Sequence, residues 1–341
     1  MPDVSVQVSV LMVGYRTRTE LDRCLSSLFA GSAGLLDEHG LEVVLVDNAS
    51  GDGTVEHIRA AFPQVRLIPL EDNIGFGRAV NLAASQARGE YLVLLNPDTV
   101  VRPGAIEALV AFARAHPGAG LVGGRTLTED GQPEPMSCWG RPTMWSTFCF
   151  ASGLSTAFSG HPRFDPEALG GWDRDTVREV GIISGCLLAV SAATWSELGG
   201  FDPRFFMYGE DTDLSMRARR AGYDPAITPD AVVVHTIGAS SAPTNRRVMI
   251  MTGKVTIFRL HWSSVPASFG IALLGAGVAL RAVLSATAKR LRGRISPDQE
   301  SWIGAWRRRD EWRAGYPAYD GPRPAPEPVV LVPPVTGDQP G

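Results

Sequence analysis

The chain has 341 residues, 44% of them hydrophobic and 20% charged, with a formal net charge of −4. That composition describes a globular protein able to build a substantial core, as one large domain or one domain with appendages, and it gives no electrostatic reason to expect nucleic acid. Cys24, Cys138, Cys149 and Cys186 lack a paired metal-ligand spacing such as C-x-x-C, and three of them, in or beside apolar runs, read as reduced packing residues; no basic start with an apolar core precedes the first strand, so the cytoplasm is the expected compartment.

In chain order, strand and helix patterns alternate. Residues 4–13 are β-rich, and Leu21, Leu25 and Leu28 give 19–29 a helical spacing. Residues 41–46 form a second apolar strand, 54–62 a helix, 65–70 a strand and 76–87 a helix. The next strand covers 91–95, a helix with proline near its start covers 103–115, and 120–124 closes the series. Such alternation predicts a parallel sheet covered on both faces.

Residues 130–178 lose this regularity and, rich in Pro, Gly, Trp and Phe, read as a substrate-facing excursion. Order resumes with a strand at 182–190, a helix over 191–198 ending at Gly199-Gly200, a helix at 211–221 and a strand at 231–235. Residues 260–280 carry no Asp, Glu, Lys or Arg, and Arg281, Lys289, Arg290, Arg292 and Arg294 follow. From 315 onward the chain is proline-rich and is expected to be disordered.

Several carboxylates directly follow apolar strands, where open α/β sheets bind ligands. Asp47 ends V-V-L-V and suits either a hydrogen bond to a nucleotide or an Asx turn. The segment Asn73-Ile74-Gly75-Phe76-Gly77-Arg78-Ala79-Val80-Asn81 enters a helix. Its backbone amides and Arg78 suit a diphosphate, while its glycines suit tight packing equally well. It matches neither G-x-G-x-x-G nor the P-loop lysine motif. Asp98, after Asn96-Pro97, and His235, after V-V-V, both follow strands, so one sheet edge can present them together. A carboxylate and a neutral imidazole suit Mn2+ or Mg2+, with diphosphate oxygens and water completing the shell. Glu210, Asp211 and Asp213 open a helix, which the helix dipole alone would explain. The aromatic approach Phe205-Phe206-Met207-Tyr208 is not explained that way. It would raise a carboxylate's pKa and exclude water, which points to a general base.

In order and spacing, these segments resemble the inverting family 2 glycosyltransferases, in the branch of bacterial rhamnosyltransferase-like enzymes. The matching segments are V-D-N-A-S-G-D-G-T at 46–54, N-I-G-F-G-R-A-V-N at 73–81 and N-P-D-T at 96–99. They continue as S-G-C-L-L-A-V at 184–190, G-G-F-D-P-R-F-F-M-Y-G-E-D-T-D-L at 199–214 and H-T-I-G-A-S at 235–240. The ordered set is far more specific than any one member.

The resemblance implies the α/β nucleotide-sugar-binding A-type fold, a mainly parallel sheet flanked by helices with a C-terminal helical extension. It implies a donor site from Asp47, Asn73, Gly75, Arg78, Asn81, Asn96 and Asp98, a metal held by Asp98 and His235, and Asp211 as base with Glu210 positioning. Asn96 stands where the family's D-x-D has its first Asp. The implied reaction is inverting transfer of a sugar, with dTDP-rhamnose the first choice of donor, onto a saccharide or polyprenyl-linked acceptor for cell-wall or surface polysaccharide. Two other readings stay open: a nucleotide-sugar-binding protein without catalysis, and a nucleotidyltransferase. The expected organisation is a nucleotide-sugar half over 1–125, an acceptor-binding and catalytic half of the same domain over 126–259, and a helical extension over 260–314 ahead of the tail. The extension is expected to meet the inner face of the cell membrane peripherally through its cationic residues, with a buried or amphipathic C-terminal helix as the other reading of 260–280.

Overall fold

The computed structural model describes residues 6–37, 40–236 and 242–321. The first half runs β1 (Val8–Gly14), α1 (Arg18–Gly31), α2 (Ala33–Asp37), β2 (Leu41–Asp47), α3 (Thr54–Ala61), β3 (Arg66–Pro69), α4 (Phe76–Ser85), β4 (Tyr91–Leu95), β5 (Thr99–Val101), α5 (Ala105–Ala115) and β6 (Leu121–Leu127). The irregular segment holds β7 (Pro133–Glu134), β8 (Cys138–Trp139), α6 (Met144–Ser152), α7 (Leu154–Ala157) and β9 (Arg178–Glu179). Then come β10 (Ile182–Ile183), β11 (Leu187–Ser191), α8 (Ala192–Leu198), α9 (Glu210–Arg220) and β12 (Ala226–His235). Four helices follow: α10 (Pro243–His261), α11 (Ser264–Arg292), α12 (Pro297–Arg307) and α13 (Arg309–Arg313).

Among the described residues the main sheet has ten strands, with the path β3-β2-β1-β4-β11-β6-β12-β5. The ladders β3–β2, β2–β1, β1–β4 and β6–β12 are parallel. The expected parallel sheet is therefore real but mixed, because β11 runs antiparallel to both neighbours and β5 antiparallel to β12. A parallel neighbour needs a crossover of a dozen or more residues. β11 instead returns from the irregular segment to lie between β4 and β6, so both sequence halves share one sheet.

Side-chain alternation along β1 separates the two layers. Val8, Val10 and Met12 pack with Leu21, Leu25 and Leu28 of α1 and with Ile106 and Leu109 of α5. Leu11 and Val13 face Ala79, Val80 and Ala83 of α4, together with Trp195, Phe201 and Leu214. That is the period-2 signature of a strand buried on both faces. All four cysteines are buried and free, as packing residues should be.

The C-terminal part departs most from expectation. The helical region starts at Pro243, and α10 supplies Val248, Met251, Val255 and Phe258 to a third cluster with Phe205, Leu274, Val278 and Trp312. Residues 315–321 of the expected disordered tail pack against the body: the Tyr316 N–H donates to Thr256 Oγ1 at 2.8 Å and its hydroxyl to the Met207 carbonyl. Residues 322–341 of that tail, 237–240 of the H-T-I-G-A-S segment and 4–5 of the first strand pattern lie outside the described residues.

Candidate functional site

A cavity of about 490 Å³ opens where β1, β2 and β4 end, lined there by Val13, Tyr15, Asn48 and Asn96. Its far wall is the loop Phe206–Gly209, the start of α9 and one face of α10. Of the residues singled out by sequence, Asn73, Asn96, Glu210, Asp211 and His235 line it directly.

On the strand-end wall, Asp47 is buried, and its Oδ2 accepts the Ser50 N–H at 3.1 Å. Its Oδ1 is buried without a hydrogen-bond partner, so the Asx turn accounts for only one of its two oxygens. Asn48 Nδ2 donates to Asn73 Oδ1 at 3.0 Å, and Asn48 Oδ1 accepts the Ile74 N–H at 2.9 Å. The Gly75 N–H donates to Asn73 Oδ1 at 2.9 Å and the Phe76 N–H to the Phe206 carbonyl at 2.8 Å. These amides are thus taken up inside the protein, which favours the tight-packing alternative for this loop. Gly75 is required by close approach: at φ +88° a Cβ there would stand 2.5 Å from the Phe206 oxygen. Asn81 clasps the Phe201 backbone on both sides, at 2.8 and 2.9 Å, away from the cavity. The Arg78 guanidinium lies 5.0 Å from the centre of the Tyr319 ring. Gly75, Arg78 and Asn81 shape this wall without lining it.

Asp98 and His235 are brought together by the β5–β12 ladder, in which Thr99 pairs with His235. The Thr236 N–H and hydroxyl both donate to the Asp98 carbonyl, fixing the corner. His235 Nε2 stands 3.3 Å from Asp98 Oδ2, and Nδ1 stands 3.0 Å from the carboxylate of Glu134. Hydrogen bonds first to Asp98 and then to Glu134 push the histidine up to about 10 against its burial; as a metal ligand it would bind through Nε2 in the neutral form. Asp98 Oδ1 is buried and unpartnered. That orphaned oxygen beside an imidazole nitrogen fits a divalent cation. Among the described residues no set of three or more such side chains is arranged to hold a metal. Phosphate oxygens and water would have to complete a shell, as Mg2+ and Mn2+ tolerate.

The E-D-T-D segment divides into two roles. Glu210 and Asp211 line the cavity, whereas Asp213 faces inward. Asp213 bonds Arg217 at 2.7 Å and His261 at 2.8 Å, and these partners outweigh burial and hold its carboxyl below the usual range. Arg217 also donates to the carbonyls of Leu198 and Gly200, so this cluster ties α9 to α8 and α10. Glu210 is buried with Oε2 unpartnered. Burial, then the charge of Asp211, pushes its carboxyl up to about 8. Burial raises Asp211 as well, against hydrogen bonds from the Thr212 and Gly185 backbone. A carboxylate held this way is a stronger base than one in water.

Three cavity-region residues had no signal in the sequence. Glu134 and Glu167 lie in the irregular segment, and Lys254 sits in a helix whose buried residues leave no polar face to stand out. Asn48, one step past Asp47, was visible only as part of the V-D-N-A-S-G-D-G-T segment.

The glycosyl transferase family 2 profile matches residues 9–164. An N-acetylglucosaminyl-diphospho-decaprenol L-rhamnosyltransferase of Mycobacterium tuberculosis is 33% identical over 244 residues, covering 66% of this chain and 75% of that protein. Among solved structures, a mannosyltransferase from Pyrobaculum calidifontis in complex with GDP-Man and Mn2+ superposes with a TM-score of 0.54 at 21% identity, covering 89% of this chain and 88% of its own. GalNAc-T7 with UDP, GalNAc and Mn2+ gives the same score at 16% identity, over 76% of this chain and 49% of its own. Those two likenesses bear on the fold, which is the A-type glycosyltransferase fold. By its profile match, and by its 33% identity with the rhamnosyltransferase over 244 residues, this chain belongs to glycosyl transferase family 2.

Proposed function

We propose that the chain transfers a rhamnosyl group from dTDP-rhamnose, with inversion, to a sugar carried on a polyprenyl diphosphate, in the synthesis of cell-wall or surface polysaccharide. The observation that carries this reading is the acid pair of buried Glu210 and half-buried Asp211 on the same cavity as the strand-end residues. The mycobacterial relative, an N-acetylglucosaminyl-diphospho-decaprenol L-rhamnosyltransferase, supports the choice of sugar and of a lipid-linked acceptor. Asp211 takes the proton of the acceptor hydroxyl as its oxygen bonds the anomeric carbon. The bond from that carbon to the diphosphate breaks, and dTDP leaves from the opposite face, which inverts the centre. Glu210 orients the acceptor. Asp47 and Asn48 hold the nucleotide, with Asn73 and Asn96 on the donor side, and Gly75, Arg78 and Asn81 keep that wall in shape. Asp98 and His235 would hold a divalent cation, Mn2+ or Mg2+, which would supply positive charge to offset that of the departing diphosphate. In this scheme residues 1–125 are the donor half and 126–259 the acceptor half.

The lipid acceptor places the enzyme at the inner membrane face. α11 is apolar and long enough to cross a bilayer, with 33% of its most apolar window buried. It exposes Val265, Phe269, Val283, Leu284 and Leu291. Two of the five cations expected to meet lipid are engaged elsewhere: Arg281 donates to the Phe150 carbonyl and Thr156, and Lys289 pairs with Glu300. Arg290, Arg292 and Arg294 remain exposed for anionic headgroups. Deleting residues 260–341 would also remove Trp312 and Tyr316 from the core, so Phe269→Glu with Leu284→Glu is the cleaner probe of liposome binding.

The deciding experiment supplies dTDP-rhamnose, Mn2+ and N-acetylglucosaminyl-diphospho-polyprenol. Release of dTDP with a glycoside of inverted anomeric configuration by NMR is expected. Pyrophosphate release would instead mark a nucleotidyltransferase, and donor binding without release a protein that binds but does not catalyse.

A further inference from the structure

The cavity has a second, chemically distinct wall. Ile250, Lys254, Ile257 and Phe258 line it from α10. Their spacing of three and four residues puts them on one helical face. Lys254 is the sole Lys or Arg lining the cavity among the described residues, and it stands in the middle of this apolar stripe. Its ammonium is 2.8 Å from Glu167 Oε2, with the two side chains 35% and 29% exposed. Burial alone would raise Glu167; the lysine charge holds its carboxyl below the usual range instead.

Glu167 is the one hydrogen-bond partner recorded for Lys254 among the described residues. An ammonium has three donors, so two remain for a ligand. The helix that carries it is pressed onto the catalytic loop, since a Cβ at Gly253 would lie 2.2 Å from the Tyr208 carbonyl oxygen. Lys254 is therefore held at a fixed station beside the segment that leads into Glu210 and Asp211. A lone cation flanked by hydrocarbon matches an anionic group flanked by hydrocarbon. A nucleotide sugar has the anion but no hydrocarbon chain.

We propose that Lys254, steadied by Glu167 on the apolar face of α10, binds the phosphate of the polyprenyl-diphosphate acceptor, with Ile250, Ile257 and Phe258 against the first prenyl units. This assignment rests on the lipid-linked acceptor named above and adds the place where it is gripped. Glu167 is a positioning residue: it keeps the ammonium extended along the wall while the acceptor is absent.

The test compares two acceptors on the full-length enzyme, the same sugar on a short prenyl diphosphate and on an uncharged alkyl chain. Lys254→Ala should raise KM for the diphosphate acceptor about tenfold or more, as loss of a charge-assisted contact does. KM for the alkyl glycoside and the Kd for dTDP-rhamnose should stay within about twofold, a factor worth less than 0.5 kcal/mol. Lys254→Arg, which keeps the charge, should recover most of the loss. If Lys254→Ala melts early, Lys254→Gln makes the same comparison while retaining a donor to Glu167. An equal loss on both acceptors would reduce the lysine to a structural clamp and overturn the proposal. Weakened dTDP-rhamnose binding would overturn it in favour of the donor diphosphate. Equal wild-type KM values for the two acceptors would refute the phosphate subsite alone, whereas a wild-type enzyme that uses neither acceptor would refute the functional reading and this subsite with it.

Discussion

The two walls of the cavity are built by different rules. On the strand-end wall each residue is placed by the sheet: Asn48 follows β2, Asn96 follows β4, and His235 closes β12. On the α10 wall a residue's place depends on what the helix packs against, and α10 is buried by Val248, Met251, Val255, Ile257 and Phe258 on several sides. The first wall takes its geometry from backbone ladders, the second from side-chain packing. The donor-side polar groups sit where strands end, and the α10 wall sets apolar contact around one cation where helices meet. A sugar nucleotide and a lipid-borne acceptor call for that division.

The sharpest way to break this division is Asp211→Asn. The amide keeps the size of the side chain but cannot take a proton. Turnover should fall by about 10²–10⁴, while the Kd for dTDP-rhamnose stays near the wild-type value, because the strand-end wall is untouched. Steady-state rates with calorimetric donor binding check both halves. Unchanged turnover would remove Asp211 from the mechanism, and a matching loss of donor affinity would show that the two walls are not separable.

A second test stays on the strand-end wall. Glu134 holds His235 Nδ1, which directs Nε2 toward Asp98. Carboxylates behind a ligating histidine typically contribute about 10–100-fold to metal affinity. Glu134→Gln should therefore weaken Mn2+ binding, followed by EPR in the presence of dTDP, by about that factor. Asp98→Ala and His235→Ala should weaken it further, and chelation should remove activity that Mn2+ or Mg2+ restores. Full activity in EDTA would leave diphosphate stabilisation to cationic side chains.

The contrast also explains what was legible in the sequence. Strand ends advertise themselves, since an apolar run stopped by Asn or Asp is visible without coordinates, and Asp47, Asn96 and Asp98 were placed that way. The pairing of Asp98 with His235 was foreseeable because both end strands. The split between Asp211 and Asp213 was not: each is an acidic residue in the first turn of α9, and only Arg217 and His261 make one of them structural. The loop amides of 74–76 stayed open between ligand and packing because a glycine-rich turn looks alike whether its N–H groups face a ligand or Phe206. Glu134, Glu167 and Lys254 depend on long-range packing that no periodicity encodes.

The loop between the walls gives a smaller test. Gly75 bears on the Phe206 oxygen from the α4 side, and Gly253 bears on the Tyr208 oxygen from α10. Because Gly253 is helical, Gly253→Ala adds steric overlap and no backbone strain. Overpacking of this kind costs about 1–3 kcal/mol. The melting temperature should drop by several degrees and kcat should fall, since the loop leads into the acid pair. A variant with wild-type stability and kcat would show that α10 can withdraw from the loop without consequence.

The smallest expected effect concerns the price of keeping Glu210 buried. Its carboxyl is pushed up to about 8, by burial and then by the charge of Asp211. The folded protein therefore holds a proton that the unfolded chain releases at an ordinary glutamate value. The stabilisation from that proton is fully present below the unfolded pKa and is lost as pH rises through about 8. Glu210→Gln removes the ionisation and keeps the shape. Its melting temperature should match the wild type at pH 4.5 and exceed it by a few degrees at pH 8, where each unit of raised pKa costs the wild type up to about 1.4 kcal/mol. An equal difference at both pH values would mean that the amide changes packing rather than charge. The opposite trend would mean that a neighbouring donor stabilises the ionised form, and the buried pair could not then serve as the proton-accepting centre of the α9 wall.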